Sequence, residues 1–294
     1  MTLGPTAVWS RYWSAGGGGG CLPNAGGPVE AAQRQIWQDF ARRLPRGARV
    51  LDLATGNGVV PGWMAAVRRD LKLVGVDSAA ALPPPPKGIV LKAGVALEEL
   101  PFARTSFDAA TSQFGFEYTA TERAASEIAR VLREGAPLLM IVHHRDGEIL
   151  AHNRSRSEAL RWARDRYFAK AAAFAAASAG LPVPPLFRSA PAEAQRQFPR
   201  QPAAAEFALG LLQRLEAGRV RGPAEAQALI RSLGEEVDGE LGRIAFLEAA
   251  AQDEAGADRI AGALAATGLR VEEPGLLADP QSGRQLAWLI SATR

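Results

Sequence analysis

The chain has 294 residues, 47% of them hydrophobic and 22% charged, enough for one large α/β domain or a domain with an elaboration. Its formal net charge of +3 is carried by arginine, since only four lysines occur (Lys72, Lys87, Lys92, Lys170), and such a balance makes no demand for nucleic acid. Cys21 is the single cysteine and the histidines are His143, His144 and His152, so an internal disulfide is excluded and no metal centre is expected.

The opening MTLGPTAVWSRYW lacks the basic start and apolar core of a signal peptide, and no stretch approaches the roughly 18 apolar residues of a membrane span. The expected setting is cytoplasmic. Residues 1–27 hold an aromatic cluster (Trp9, Tyr12, Trp13) and then a glycine run, Gly16 to Gly20, read as a flexible connector. The aromatics have two readings, a lid over a bound ligand or a staple onto the first helix.

From Pro28 to Leu44 apolar residues recur at helical spacing (Ile36, Trp37, Phe40, Leu44), with Pro28 at the first turn and Pro45-Arg46-Gly47 past the end. Arg49 to Ala54 reads as a buried strand, TGNG as a turn and Val59 to Arg69 as a helix; Lys72 to Asp77 is a second strand. Pro83 to Pro86 forbid a regular helix in the next crossover. GIVLKAG supplies a third strand, and a fourth lies around Phe107 to Ser112. Thr121 to Arg133 is an amphipathic helix, and Pro137 to His144 a fifth, strongly apolar strand.

The rhythm then changes. From about Asp146 to Gly242 the chain is helical in character, broken into segments by Pro182, Pro184-Pro185, Pro191, Pro199, Pro202 and Pro223. Arg243 to Leu269 is helical again, and the end reads as two strands joined by a turn at Asp279 to Gly283. Strand–helix alternation in the first half predicts a parallel sheet, and the final pair an antiparallel edge. The expected division is an N-terminal segment 1–27, a ligand-binding domain made of 28–146 and 243–294, and a helical insertion 147–242.

The chemistry centres on RVLDLATGNGVV. Gly56 and Gly58 permit a sharp strand-to-helix turn and let a ligand approach bare backbone. Nineteen residues after Gly58, Asp77 closes the second strand, where a carboxylate can accept from both hydroxyls of a ribose. The third glycine of a dinucleotide fingerprint is replaced by Pro61, and a phosphate-loop lysine is absent, which ranks a dehydrogenase last.

At this point the chain resembles the seven-stranded, Rossmann-like S-adenosylmethionine methyltransferases. Their first strand carries an acid ahead of a G-x-G-x-G turn, matched here by Asp52 with Ala54, Gly56 and Gly58, and their ribose-binding acid is matched by Asp77. LPFARTSFDAATSQFGFEY and EIARVLREGAPLLMIV match the segments around the fourth and fifth strands, and FDAATSQFGFE is similar to the ubiquinone and menaquinone biosynthesis methyltransferases. The likeness spans about residues 45–145 and 245–294.

The resemblance implies a seven-stranded α/β sheet with the helical insertion as a lid between the fifth strand and the last helix. It implies S-adenosylmethionine as cofactor, S-adenosylhomocysteine as product, and a cofactor site of Tyr12, Asp52, Ala54, Thr55, Gly56, Asn57, Gly58, Asp77, Ser78, Val95, Ala96 and Gln113. Val95 stands where many relatives place an acid for the adenine amino group, which leaves that task to backbone groups or to Glu98 or Glu99.

His143 and His144 end the fifth strand at the same sheet edge, and are candidate bases for methyl transfer or strand-end caps. Alignment alone can also supply much of the barrier reduction. Trp13, Phe114, Glu117 and Tyr118 are candidate substrate contacts. The expected reaction is methylation of an O, N or C atom of a small, partly apolar molecule, with a homodimer possible. Two rivals stand: an RNA or protein methyltransferase using the arginine-rich His152–Phe168 run, and a non-catalytic S-adenosylmethionine-binding regulator.

Overall fold

The computed structural model describes residues 5–14, 27–177, 180–279 and 281–294, so the predicted Gly16–Gly20 connector lies outside the described residues. In chain order the elements are α1 (Pro5–Ser14), α2 (Pro28–Arg43), β1 (Arg49–Leu53), α3 (Val59–Val67), β2 (Lys72–Val76), β3 (Ile89–Lys92) and β4 (Ala109–Gln113). After a short 3-10 turn (Phe116–Tyr118) come α4 (Thr121–Val131), β5 (Pro137–His143), α5 (Glu148–Ala177), α6 (Pro185–Gln197), α7 (Ala203–Arg221) and α8 (Pro223–Ala250). The chain closes with α9 (Glu254–Ala266), β6 (Arg270–Val271), β7 (Gly275–Ala278) and β8 (Gln285–Thr293). These form two compact units, Met1–Leu150 with Phe246–Arg294, and Ala151–Ala245. No described helix is long and apolar enough to cross a membrane.

The first unit is a mixed sheet in the order β3-β2-β1-β4-β5-β8-β6, with β7 also on β8. Strands β1 to β5 are parallel and β8 is antiparallel to β5, as expected of a Rossmann-like α/β fold. The expected seven strands become eight because the last return breaks at Glu272–Pro274. Pro274 has no amide hydrogen to give the ladder, so β6 pairs with Thr293 and Ala292 and β7 resumes at Leu289 on the same edge of β8.

Alternating residues of β5 feed two apolar layers. Leu138, Met140 and Val142 pack with Ile128 of α4 and Ile260 and Leu264 of α9. Leu139 and Ile141 pack with Trp37 and Phe40 of α2 and Met64 of α3. A strand buried on both faces is what a parallel sheet covered by helices requires. Between β2 and β3 the proline run leaves a crossover without a helix, as predicted.

The second unit packs α5 to α8 around Tyr167, Phe187, Phe207, Leu211 and Ile230. Pro191, expected to break the chain, lies inside α6. Burial of Phe187, Ala190 and Ala194 on either side of it holds the helix together despite the lost amide donor.

Candidate active site

From β1 the sheet order runs outward through β2 and β3 on one side and β4 and β5 on the other. Ligands in such sheets lie where the order reverses, at the carboxyl ends of the strands. At that place β1 ends in a turn with three successive departures into left-handed space: Ala54 (φ +54°), Gly56 (φ +53°) and Gly58 (φ +77°). Thr55 N donates to Val76 O at 2.9 Å, Gly58 N to Thr55 O at 2.9 Å, and Asn57 Oδ1 accepts from Val59 N at 3.2 Å. A positive φ at alanine is strained by roughly 1–2 kcal/mol. The turn accommodates the extra Cβ because the facing residue is Gly115, whose own Cβ would overlap that of Ala54.

Two buried carboxylates flank the turn. Asp77 Oδ2 accepts from Gly56 N and Oδ1 from Ala79 N, each at 2.9 Å. Burial nevertheless raises its pKa above the ordinary carboxylate value. Asp52, level with Gly75 and Thr111 in the sheet, accepts from Thr111 Oγ1 at 2.7 Å and is pushed up to about 7 by burial. Among the described residues neither carboxylate has an ion-pair partner. An opposite charge beside either group would favour its ionised form.

The predicted residues at the ends of β4 and β5 separate into two sets. Gln113 Oε1 accepts from Trp37 Nε1 at 2.6 Å, which ties it to α2. Phe114 takes φ +57° and stacks on the His143 ring at 4.1 Å between centroids. Glu117 Oε1 lies 2.6 Å from His143 Nδ1 and also accepts from His143 N at 3.0 Å. Tyr118 meets the same ring edge-on at 6.3 Å. His144 points elsewhere, its Nδ1 accepting from Asp146 N at 3.0 Å and its ring stacked on Trp288. Burial lowers its pKa.

Val95 donates its amide to Asp77 O and packs against the core, Ala96 O accepts from Glu99 N, and Glu98 accepts from Ala120 N. Ser78 is exposed at the end of β2. Helix α1 lies over this edge. Trp13 covers Gly56, Ser10 Oγ accepts from Ala80 N at 2.9 Å, and Trp9 packs edge-on against Tyr118 at 5.6 Å. Tyr12 meets Trp13 at 4.9 Å. Sequence reasoning missed Ser10, Thr111 and Gly115. For Gly115, its place beside the strand end carrying Phe114 was the available signal.

Residues 51–140 match a family model described as a methyltransferase domain. That stretch is a methyltransferase domain. Over 106 residues the chain is 35% identical to the ubiquinone/menaquinone biosynthesis C-methyltransferase UbiE of Syntrophotalea carbinolica. The matched stretch is 33% of this chain and 45%, about half, of that relative.

Two solved structures are similar over nearly the whole chain. One is a methyltransferase in complex with the Haloferax volcanii Trm112 methyltransferase activator, at 13% identity and TM-score 0.47, covering 97% of this chain and 96% of that one. The other is an S-adenosylmethionine dependent methyltransferase from Mesorhizobium loti, at 14% identity and TM-score 0.44, covering 91% and 100%. Both likenesses are too loose to bear on function.

The residues of this turn would suit S-adenosylmethionine. Gly56 and Gly58 present backbone without a side chain at this strand end, and the Asp77 carboxylate beside them carries acceptor oxygens for a hydroxyl-bearing ligand.

Proposed function

We propose that the chain methylates an O, N or C nucleophile of a small, partly apolar molecule, with S-adenosylmethionine as donor. The observation that carries this reading is the buried Glu117–His143 pair at the same strand edge as the Gly56 turn and Asp77. In the proposal Gly56, Gly58 and Asp77 hold the cofactor, Asp77 through the carboxylate lone pairs left after its two amide bonds. The bound cofactor supplies an activated methyl group. Glu117 takes the Nδ1 proton of His143 in a hydrogen bond, which places the imidazole lone pair on Nε2 to receive the proton the acceptor loses.

The arginine-rich run favours a small acceptor over RNA. Arg156, Arg164 and Arg166 are paired within the helical unit to Glu240, Asp238 and Glu193, so this stretch offers phosphate few uncommitted charges.

Calorimetric titration with S-adenosylmethionine and S-adenosylhomocysteine, with NAD as control, tests the reading. Micromolar binding of both sulfur nucleosides is expected, weakened about tenfold or more in Asp77→Ala by loss of a charged acceptor. No binding by the folded protein would overturn it. Binding without turnover on any acceptor would leave a regulator.

A further inference from the structure

We propose that α1 is an autoinhibitory plug, with Trp13 seated on the bare backbone of Gly56 in the place the cofactor must take. The inference rests on the cofactor reading of that turn. A Cβ built on Gly56 would fall 2.7 Å from Trp13 Cη2 and 3.0 Å from Cε2, so the indole is already in contact with the peptide that glycine leaves open. Close approach of a ligand to that backbone is the physical use of glycine in such a turn. Here the protein's own side chain makes the approach.

The seat is fixed at three strand ends. Trp13 covers the turn after β1, Ser10 Oγ accepts from Ala80 N beyond β2, and Trp9 packs on Tyr118 beyond β4. Tyr12 and Trp13 stand one helical turn after Trp9 and the three rings contact one another, so they act as one aromatic block. Tyr118 in turn contacts His143. One helix therefore covers both the turn proposed to hold cofactor and the approach to the proposed base.

A plug and a lid make opposite predictions. A lid would add contacts to bound cofactor, so trimming it would weaken binding. A plug competes with the cofactor, and the apparent affinity falls by the fraction of molecules in which α1 has left its seat. Trimming it tightens binding.

The test uses the full chain with S-adenosylhomocysteine as probe, followed by calorimetry and stopped-flow tryptophan fluorescence. Trp13→Ala is expected to bind about tenfold tighter than wild type. Ser10→Ala, which keeps the rings and loses one hydrogen bond, is expected to tighten binding by about threefold. The wild-type association rate should level off as probe concentration rises, because opening of α1 becomes limiting, and should rise linearly in Trp13→Ala.

Equal or weaker binding by a folded Trp13→Ala, checked by its melting transition, would overturn the plug and leave the cofactor site standing. If neither protein binds the probe, the cofactor reading fails and the plug with it.

Discussion

Glu117 Oε1 sits 2.6 Å from Nδ1 of His143 and 3.0 Å from the amide of the same residue, with both side chains withdrawn from solvent. The two bonds tie ring and backbone to one carboxylate oxygen, which fixes the ring's rotation as well as its tautomer. Glu117→Gln keeps the shape but removes the charge that favours Nδ1–H. Once an acceptor is known, the variant should lose about tenfold to a hundredfold in kcat with KM little changed. Proton and nitrogen NMR of the imidazole supplies a readout without an acceptor: the Nδ1–H resonance should be strong in the wild type and weakened in Glu117→Gln. An unchanged imidazole spectrum would rule out the orienting role.

Asp52 ties stability to pH. Burial holds its pKa at about 7 in the fold, above an unfolded value of 3.8. Between those two values the native state keeps a proton that the unfolded chain has lost, so stability falls as pH rises, by up to about 1.4 kcal/mol per unit. Above about 7 the loss is complete. Denaturant titrations at pH 5 and pH 8 should show the wild type less stable at the higher pH. Asp52→Asn should narrow the gap, and an equal gap in both proteins would refute the assignment.

Ala54 and Gly115 form a steric pair across the β1 and β4 ends. Gly115 has φ −146°, outside the left-handed region, and an added side chain there would first meet the Cβ of Ala54. Gly115→Ala is expected to cost about 1–3 kcal/mol by overpacking. Ala54→Gly alone should gain about 1 kcal/mol by relieving the positive φ. The double variant should recover most of the loss, a coupling that thermal melts of the four proteins would measure. Additive effects would mean that the two residues do not share the space.

Much of this site is legible before any coordinates, and the reason is local. Asp52, Gly56, Gly58 and Asp77 lie on one strand–turn–helix–strand stretch whose periodicity and spacing place them together. What was not legible depends on partners far apart in sequence. That Gln113 accepts from Trp37, 76 residues away, has no local signal. Neither has the meeting of Glu117, on the 3-10 turn, with His143, 26 residues on. Trp13 lies beyond a glycine run with no pattern to fix its position, so a lid and a staple were equally readable there. Pro191 failed as a breaker because tertiary burial outweighed a local preference.

His143 and His144 are adjacent in sequence and differ in their surroundings. His144 Nδ1 caps the amide of Asp146 and its ring lies 4.9 Å from that of Trp288 at 20°, so its contribution is to the fold. His144→Ala should cost about 1–3 kcal/mol by leaving that amide without its acceptor and unstacking the ring, while binding of S-adenosylhomocysteine stays at the wild-type value. Its lowered pKa adds a second signature. Below an unfolded value of about 6.5 the unfolded chain gains a proton that the native ring resists, so stability falls as pH drops, and His144→Ala should lose that part of the acid sensitivity. His143→Gln should show the reverse pattern in rate, abolishing proton transfer while cofactor binding persists. Melting curves read beside S-adenosylhomocysteine titrations separate the two histidines, and a His144→Ala that lost cofactor binding with its fold intact would move His144 back into the site.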